Sequence, residues 1–190
     1  SRFAMNHAHA MSQRRREIPH NLEEDSPEGQ AAREAFGQNL YDLNVQQYCC
    51  AGLNFGYYYD QSPVMVYDGD KAPEYSMGSF TASTVPGCRA PHFWLGEGQS
   101  VYDALGPAYT LLCLKPGLDG ALEALQAAAD QQGMPLRVLD VSGVQDLPPE
   151  YQHPLLMVRA DAHTVWRGHS LDDSSAQALV ATLCGRRAAV

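Results

Sequence analysis

The chain is expected to fold as an α/β protein, with a compact C-terminal domain behind a helical and hairpin extension. Three observations lead there. Compact apolar segments at 109–114 and 136–141 bracket an Ala/Leu-rich helical stretch at 120–132. Two further short strand patterns, 155–159 and 164–167, flank a tight turn and precede an amphipathic segment at 174–184. Before about residue 100 the texture differs, with a polar start, one long helical pattern and many Gly and Pro residues. Of 190 residues, 45% are apolar and 18% charged, a balance that buries a core and excludes disorder for most of the length.

Taken in order, residues 1–25 are polar, with scattered apolar anchors and part helical character. Ser26-Pro27-Glu28 is a helix start, with an N-cap serine, proline at the first position and an acid in the first turn. Ala32, Phe36, Leu40 and Leu43 then recur at helical spacing and mark one packed stripe, weakened by Gly29 and Gly37. Residues 53–59 and 63–67 read as two strands of an aromatic hairpin ahead of an Asp68-Gly69 turn. Between 70 and 98 no long periodicity exists, although Phe80, Phe93, Trp94 and Leu95 require this segment to be pinned down. The remaining order, β-α-β-(irregular)-β-β-α, is that of a thioredoxin-like sandwich whose middle helix has degraded into a loop. We place a boundary at 80, dividing an extension, 1–80, from the C-terminal domain and its linker, 81–190.

Several chemistries lack their residues. Thiol–disulfide exchange needs a Cys-x-x-Cys opening the first helix, and Lys115-Pro116-Gly117-Leu118-Asp119-Gly120 has no cysteine there. Cys113 falls inside the preceding strand, where burial would leave it inert. Five cysteines without paired spacing, including the adjacent Cys49 and Cys50, read as free thiols in a reducing cytoplasm. Gly96-Glu97-Gly98 lacks the third glycine of a dinucleotide turn. His7 and His9 read as a surface pair, and no metal site is expected. Ser170, His169 and Asp172 lack the strained elbow of a serine hydrolase, and His163 and His169 read as strand-edge residues. With 13 Lys and Arg against 22 Asp and Glu, the net charge of −9 disfavours nucleic acid. No apolar run spans a bilayer and residues 1–16 carry no secretory pattern, so a cytoplasmic location without membrane partners is expected.

The remaining feature is the rigid corner Pro86-Gly87-Cys88-Arg89-Ala90-Pro91-His92-Phe93-Trp94-Leu95. It reads either as a structural corner with Trp94 filling core, or as a docking corner locking two modules together.

That run resembles the junction before the C-terminal domain of the FAD-dependent aromatic-ring hydroxylases, the phenol, dichlorophenol, hydroxyphenylpropionate and hydroxybiphenyl monooxygenases. Three stretches add to the resemblance: Ser26-Pro27-Glu28-Gly29 and its helix; Gly52-Leu53 through Gly56-Tyr57, Tyr59, Ser62 and Asp68-Gly69; and Leu156-Met157-Val158-Arg159 with Asp161, His163, Trp166 and Arg167. Ala160 stands where the family usually has proline. Together they cover roughly residues 20–168. The resemblance implies that FAD and NAD(P)H serve a parent enzyme whose flavin and substrate domains precede this portion and are its partners. It also implies a thioredoxin-like domain without redox cysteines and no flavin or catalytic residue in this chain. Without those other domains Phe36, Leu40, Phe55 and Tyr57 need a cover, and closed two-fold pairing is the commonest one, so a homodimer is expected. Arg89, His92, Trp94, Arg159, Asp161 and Trp166 become structural or docking candidates. The alternative is an independent thioredoxin-like binding module with no enzymatic parent.

Overall fold

The computed structural model describes residues 2–14 and 16–186, with the side chains of Phe3, His7, Arg14, Gln46 and Gln47 outside that description. The chain forms two compact units, residues 1–57 with 74–81, and residues 58–73 with 82–190.

The first unit is helical. Helix α1 covers Arg2–Arg14 and α2 covers Pro27–Tyr48. The expected start of α2 is realised: Ser26 Oγ accepts from the Gly29 N–H at 3.0 Å, satisfying one otherwise orphaned donor. Arg33 ties the preceding turn to the helix by donating to the Leu22 and Glu24 carbonyls at 2.7 and 2.9 Å. The predicted stripe is also present, with Leu43 buried and Ala32, Phe36 and Leu40 half-buried.

The expected hairpin does not form. Ala51–Phe55 closes instead into a short helix, α3, with the Gly56 N–H donating to the Gly52 carbonyl at 2.8 Å. Aromatic residues favour a strand only beside a partner strand, and among the described residues none lies alongside. The returning segment meets α3 through one backbone bond, Leu53 N–H to Met77 carbonyl at 3.2 Å, and packs so tightly on Gly52 that a Cβ there would fall 1.6 Å from the Ser76 carbonyl oxygen. Residues 63–67 are irregular as well, and they belong to the second unit.

That unit is α/β. A small hairpin, β1 (Trp94–Gly96) and β2 (Gln99–Ser100), leads through a 3₁₀ turn at Val101–Ala104. Then follow β3 (Tyr109–Cys113), α4 (Asp119–Gln132), β4 (Leu136–Asp140), β5 (Leu155–Arg159), β6 (Thr164–Gly168) and α5 (Asp173–Leu183). Every strand and helix expected after residue 100 is present, with ends moved by a residue. The sheet order is β4-β3-β5-β6, with β3 parallel to β4 and antiparallel to β5, and β5 antiparallel to β6.

Alternation along the central strands fills two cores. Leu111, Met157 and Val165 face Leu125, Ala128, Ala129, Leu179 and Val180 of the paired helices α4 and α5. Leu112, Leu156 and Val158 face Phe93, Val101 and Val141, so irregular chain covers the second face. The polar groups of this irregular cover are held by tyrosines: Tyr102 and Tyr151 donate to the Ala90 and Pro91 carbonyls, each at 2.6 Å.

Residues 86–90 cap the entry of β6, with Gly87 and Ala90 N–H donating to the Thr164 and Ala162 carbonyls at 2.8 Å and Thr164 N–H returning to Cys88 at 2.9 Å. Gly87 has φ +100°, and an added Cβ would lie 1.9 Å from the Tyr59 carbonyl oxygen. Gly117 has φ +80° and open space around it. Gly87→Ala is therefore expected to cost about 3 kcal/mol or more, and Gly117→Ala only about 1 kcal/mol, in urea unfolding. Equal losses would mean that the close approach to Tyr59 is not what holds glycine at position 87.

Candidate functional site

The β5–β6 turn builds an ionic corner. Ala162 adopts a left-handed φ of +65°, which closes the turn so that the Arg159 N–H reaches the His163 carbonyl at 2.9 Å and the Ala162 N–H reaches the Arg159 carbonyl at 2.8 Å. Arg159 and Asp161 then face each other as a forked pair, Nε donating to Oδ1 at 3.0 Å and the second guanidinium nitrogen bonding Oδ2. His163 is fully buried, its Nδ1 3.0 Å from the Asp161 carbonyl and 3.5 Å from the carboxylate. It stands at the entry of β6 and is enclosed there. Tyr59 closes the corner: its hydroxyl donates to Asp161 at 3.4 Å, its ring meets His163 edge-on at 4.9 Å, and the Arg159 guanidinium lies 5.0 Å from its centroid.

Burial opposes ionisation of Asp161, but hydrogen bonds and charge from His163 and Arg159 outweigh it and hold the carboxyl far below the usual range. The hydrogen bond to Asp161 likewise raises Arg159. At neutral pH this ionised, internally paired carboxylate ties the turn together.

A second cluster continues from Arg89, whose backbone bridges to His163. The Arg89 guanidinium lies 4.8 Å from the Tyr102 centroid, and His92 meets Tyr102 and Trp94 edge-on at 5.4 and 4.7 Å. Trp94 does not fill core: it is 59% exposed, and its neighbour Phe93, 3% exposed, fills that place. His92 and Trp94 line one side of an open groove of about 570 Å³ whose other side is residues 143–146. Trp166 joins neither cluster and packs under α4 and α5.

Sequence reading missed a third cluster. Arg167, its side chain 7% exposed, donates from Nε to Asp68 at 2.6 Å, bonds Asp70, and donates to Thr84 Oγ1 at 3.1 Å. The Asp-Gly-Asp spacing about a turn was the available signal, but its partner lies 99 residues away. Burial raises the thiols of Cys88 and Cys113, and the Cys113 thiol donates to the Lys115 carbonyl at 3.2 Å, so neither is an activated nucleophile. Among the described residues no group of three or more His, Cys, Asp or Glu is placed to hold a metal, and no helix is long and apolar enough to cross a membrane.

No protein-family model matches the chain. Over 183 residues it is 32% identical to phenol 2-monooxygenase of Pseudomonas sp. (strain EST1001), covering 85% of this chain and 29% of that protein. The chain is homologous to a C-terminal part of the flavin-dependent monooxygenases. FAD-dependent monooxygenase apdD of Emericella nidulans is a second such relative, 33% identical over 101 residues, 52% of this chain and 16% of that one. Among solved structures, native and K252c-bound RebC-10x superposes with a TM-score of 0.73 at 28% identity over 97% of this chain and 35% of that one. The chain thus spans less than a third of the length of these curated monooxygenase relatives.

Replacing Asp161 removes an ion pair whose contribution depends on pH. With its carboxyl lowered in the folded protein, stabilisation is complete above the ordinary carboxylate value near ~4 and is lost as pH falls below it. Asp161→Asn is expected to lose about 1–2 kcal/mol at neutral pH, partial exposure moderating the effect, with the gap to wild type narrowing below about pH 4. Denaturant titrations across pH measure it.

Proposed function

We propose that this chain is the C-terminal portion of a FAD- and NAD(P)H-dependent monooxygenase that hydroxylates phenolic aromatic substrates, and that its own role is structural. In this reading the parent's flavin and substrate domains lie upstream, residues 1–80 complete that module, and residues 81–190 form a thioredoxin-like cap without a redox pair. One observation carries the proposal: the match to phenol 2-monooxygenase extends over 85% of the chain, more than the second unit alone supplies. A free-standing thioredoxin-like module would share only that unit. The β-α-β-β-β-α order and the mixed sheet support the thioredoxin-like assignment.

The docking role falls to surfaces that a lone domain would not expose. Arg89, His92 and Trp94 set an aromatic corner beside the groove at 143–146. In the first unit, Tyr41, Tyr48 and Phe55 are exposed, Phe55 meeting Phe80 edge-on at 6.3 Å. Covering such side chains stabilises by about 1.5–3 kcal/mol each, which favours either the parent's other domains or a second copy as their cover.

Two experiments test this reading. The reading frame upstream of Ser1 is expected to encode a strand–turn–helix with Gly-x-Gly-x-x-Gly, while the 190-residue chain alone retains no stoichiometric FAD through gel filtration. A stop codon directly upstream, or retained flavin, overturns the proposal in favour of an independent module or a flavin site in this chain. For association, light scattering at tens of micromolar is expected to find a homodimer that a Tyr48→Ser/Phe55→Ser variant dissociates. A monomeric wild type would exclude pairing through residues 26–60.

A further inference from the structure

The small sheet of the second unit, β1 with β2, is paired on one side only. The Phe93 carbonyl accepts from the Val101 N–H at 3.1 Å on the β2 side, so by strand alternation the backbone of Trp94 points to the open side. A groove of about 570 Å³ separates residues 92–96 from Gly143, Val144, Gln145 and Asp146, and β2 contributes nothing to it. On that far rim the Val144 N–H donates to the Val141 carbonyl at 3.1 Å. Among the described residues, the backbone groups of Gly143, Gln145 and Asp146 make no hydrogen bond. A gap with unpaired backbone on both rims has the form of a slot for one more extended chain.

Trp94 is the anchor in that slot. Its indole is exposed yet held: His92 meets it edge-on at 4.7 Å, Tyr102 backs His92 at 5.4 Å, and the Tyr102 hydroxyl is fixed on the Ala90 carbonyl at 2.6 Å. Its neighbour Phe93 is buried beneath the hairpin against Tyr151. A large aromatic surface already held in one orientation loses little freedom when a partner covers it.

Charge selects the occupant. Residues 92–104 and 140–150, which form and flank the two rims, contain Glu97, Asp103, Asp140, Asp146 and Glu150 and no Lys or Arg. Asp146 lines the groove itself. Arg89, which shares Tyr102 with His92, lies over that ring at 4.8 Å and is not part of the lining. A nucleic acid, or a second copy of this chain with its net charge of −9, meets repulsion at such rims, and a cationic segment is drawn in.

We propose that the groove between β1 and residues 143–146 binds an extended, basic segment of a partner polypeptide. The segment adds as a strand to the open edge at Trp94, lays a Lys or Arg side chain on the indole and brings a cation to Asp146. Backbone hydrogen bonds fix its direction, and the indole and the carboxylate select its side chains. The site uses residues of the second unit alone. It therefore goes beyond the structural role proposed above, and its outcome does not depend on an upstream flavin domain.

The test is calorimetric titration of the full chain with an end-blocked octapeptide of alternating lysine and valine. Saturable one-to-one binding is expected, weakened about tenfold by Trp94→Ala and by Asp146→Lys, the loss typical of an anchor residue. Glu123→Lys, the same charge change at an exposed position of α4, should leave the affinity unchanged. Glutamate in place of lysine, or N-methylation of alternate peptide amides in either register, should weaken binding about tenfold or more. Absence of saturable binding overturns the proposal. A loss in Glu123→Lys equal to that in Asp146→Lys reduces the effect to diffuse charge and overturns the site. An N-methylated peptide that binds as well overturns strand addition. If light scattering shows that Trp94→Ala turns a dimer into monomers, a second copy fills the groove and the basic partner is overturned.

Discussion

The outer edge of β6 is the constraint around which the second unit is organised. A four-stranded sheet leaves two edges, and an edge strand is a row of backbone groups seeking partners. Among the described residues no regular strand pairs with β6 on that side. Instead residues 86–90 take its first positions, Val66 takes Val165, and Arg167 reaches outward to gather the Asp68–Asp70 turn. The tight approach at Gly87 follows from fitting irregular chain onto that edge.

The same economy appears on the second face of the sheet. Helices α4 and α5 cover one face by ordinary apolar packing, but the other is roofed by residues 90–105 and 139–151. Irregular backbone cannot satisfy its own carbonyls, and buried tyrosine hydroxyls do so at Ala90 and Pro91. Burial and the neighbouring Tyr102 and Glu150 push the Tyr151 phenol far above its usual value, so it remains a donor at any physiological pH. Tyr151 also meets Phe93 edge-on at 5.2 Å, so one side chain serves the core and the backbone together.

Three arginines of this unit are engaged within it. The chain has few cations for its size, and Arg89, Arg159 and Arg167 are committed to a tyrosine face, a carboxylate fork and a two-aspartate clamp. Each is bound to groups of the same unit, and the thiols that might have reacted are raised by burial. Such groups hold irregular segments in one conformation.

What the sequence determined alone was whatever depends on short spacing. The Ser26 cap, the stripe from Ala32 to Leu43, the four strands and two helices after residue 100, and the missing Cys-x-x-Cys are local patterns, and each was legible because period, cap and turn chemistry act over a few residues. The family resemblance was legible for the same reason, as fixed motifs in a fixed order. The aromatic run at 53–59 misled because strand preference needs a neighbouring strand, and only tertiary structure decides whether one is there. The side toward which Trp94 or Phe93 points was likewise undecided, since both are large, apolar and adjacent. The Arg167 clamp and the Tyr59–Asp161 contact join positions about a hundred residues apart, and no local pattern encodes which distant charge or hydroxyl will arrive. Only the closure of the sheet, with its β6 edge left to be covered, brings them together.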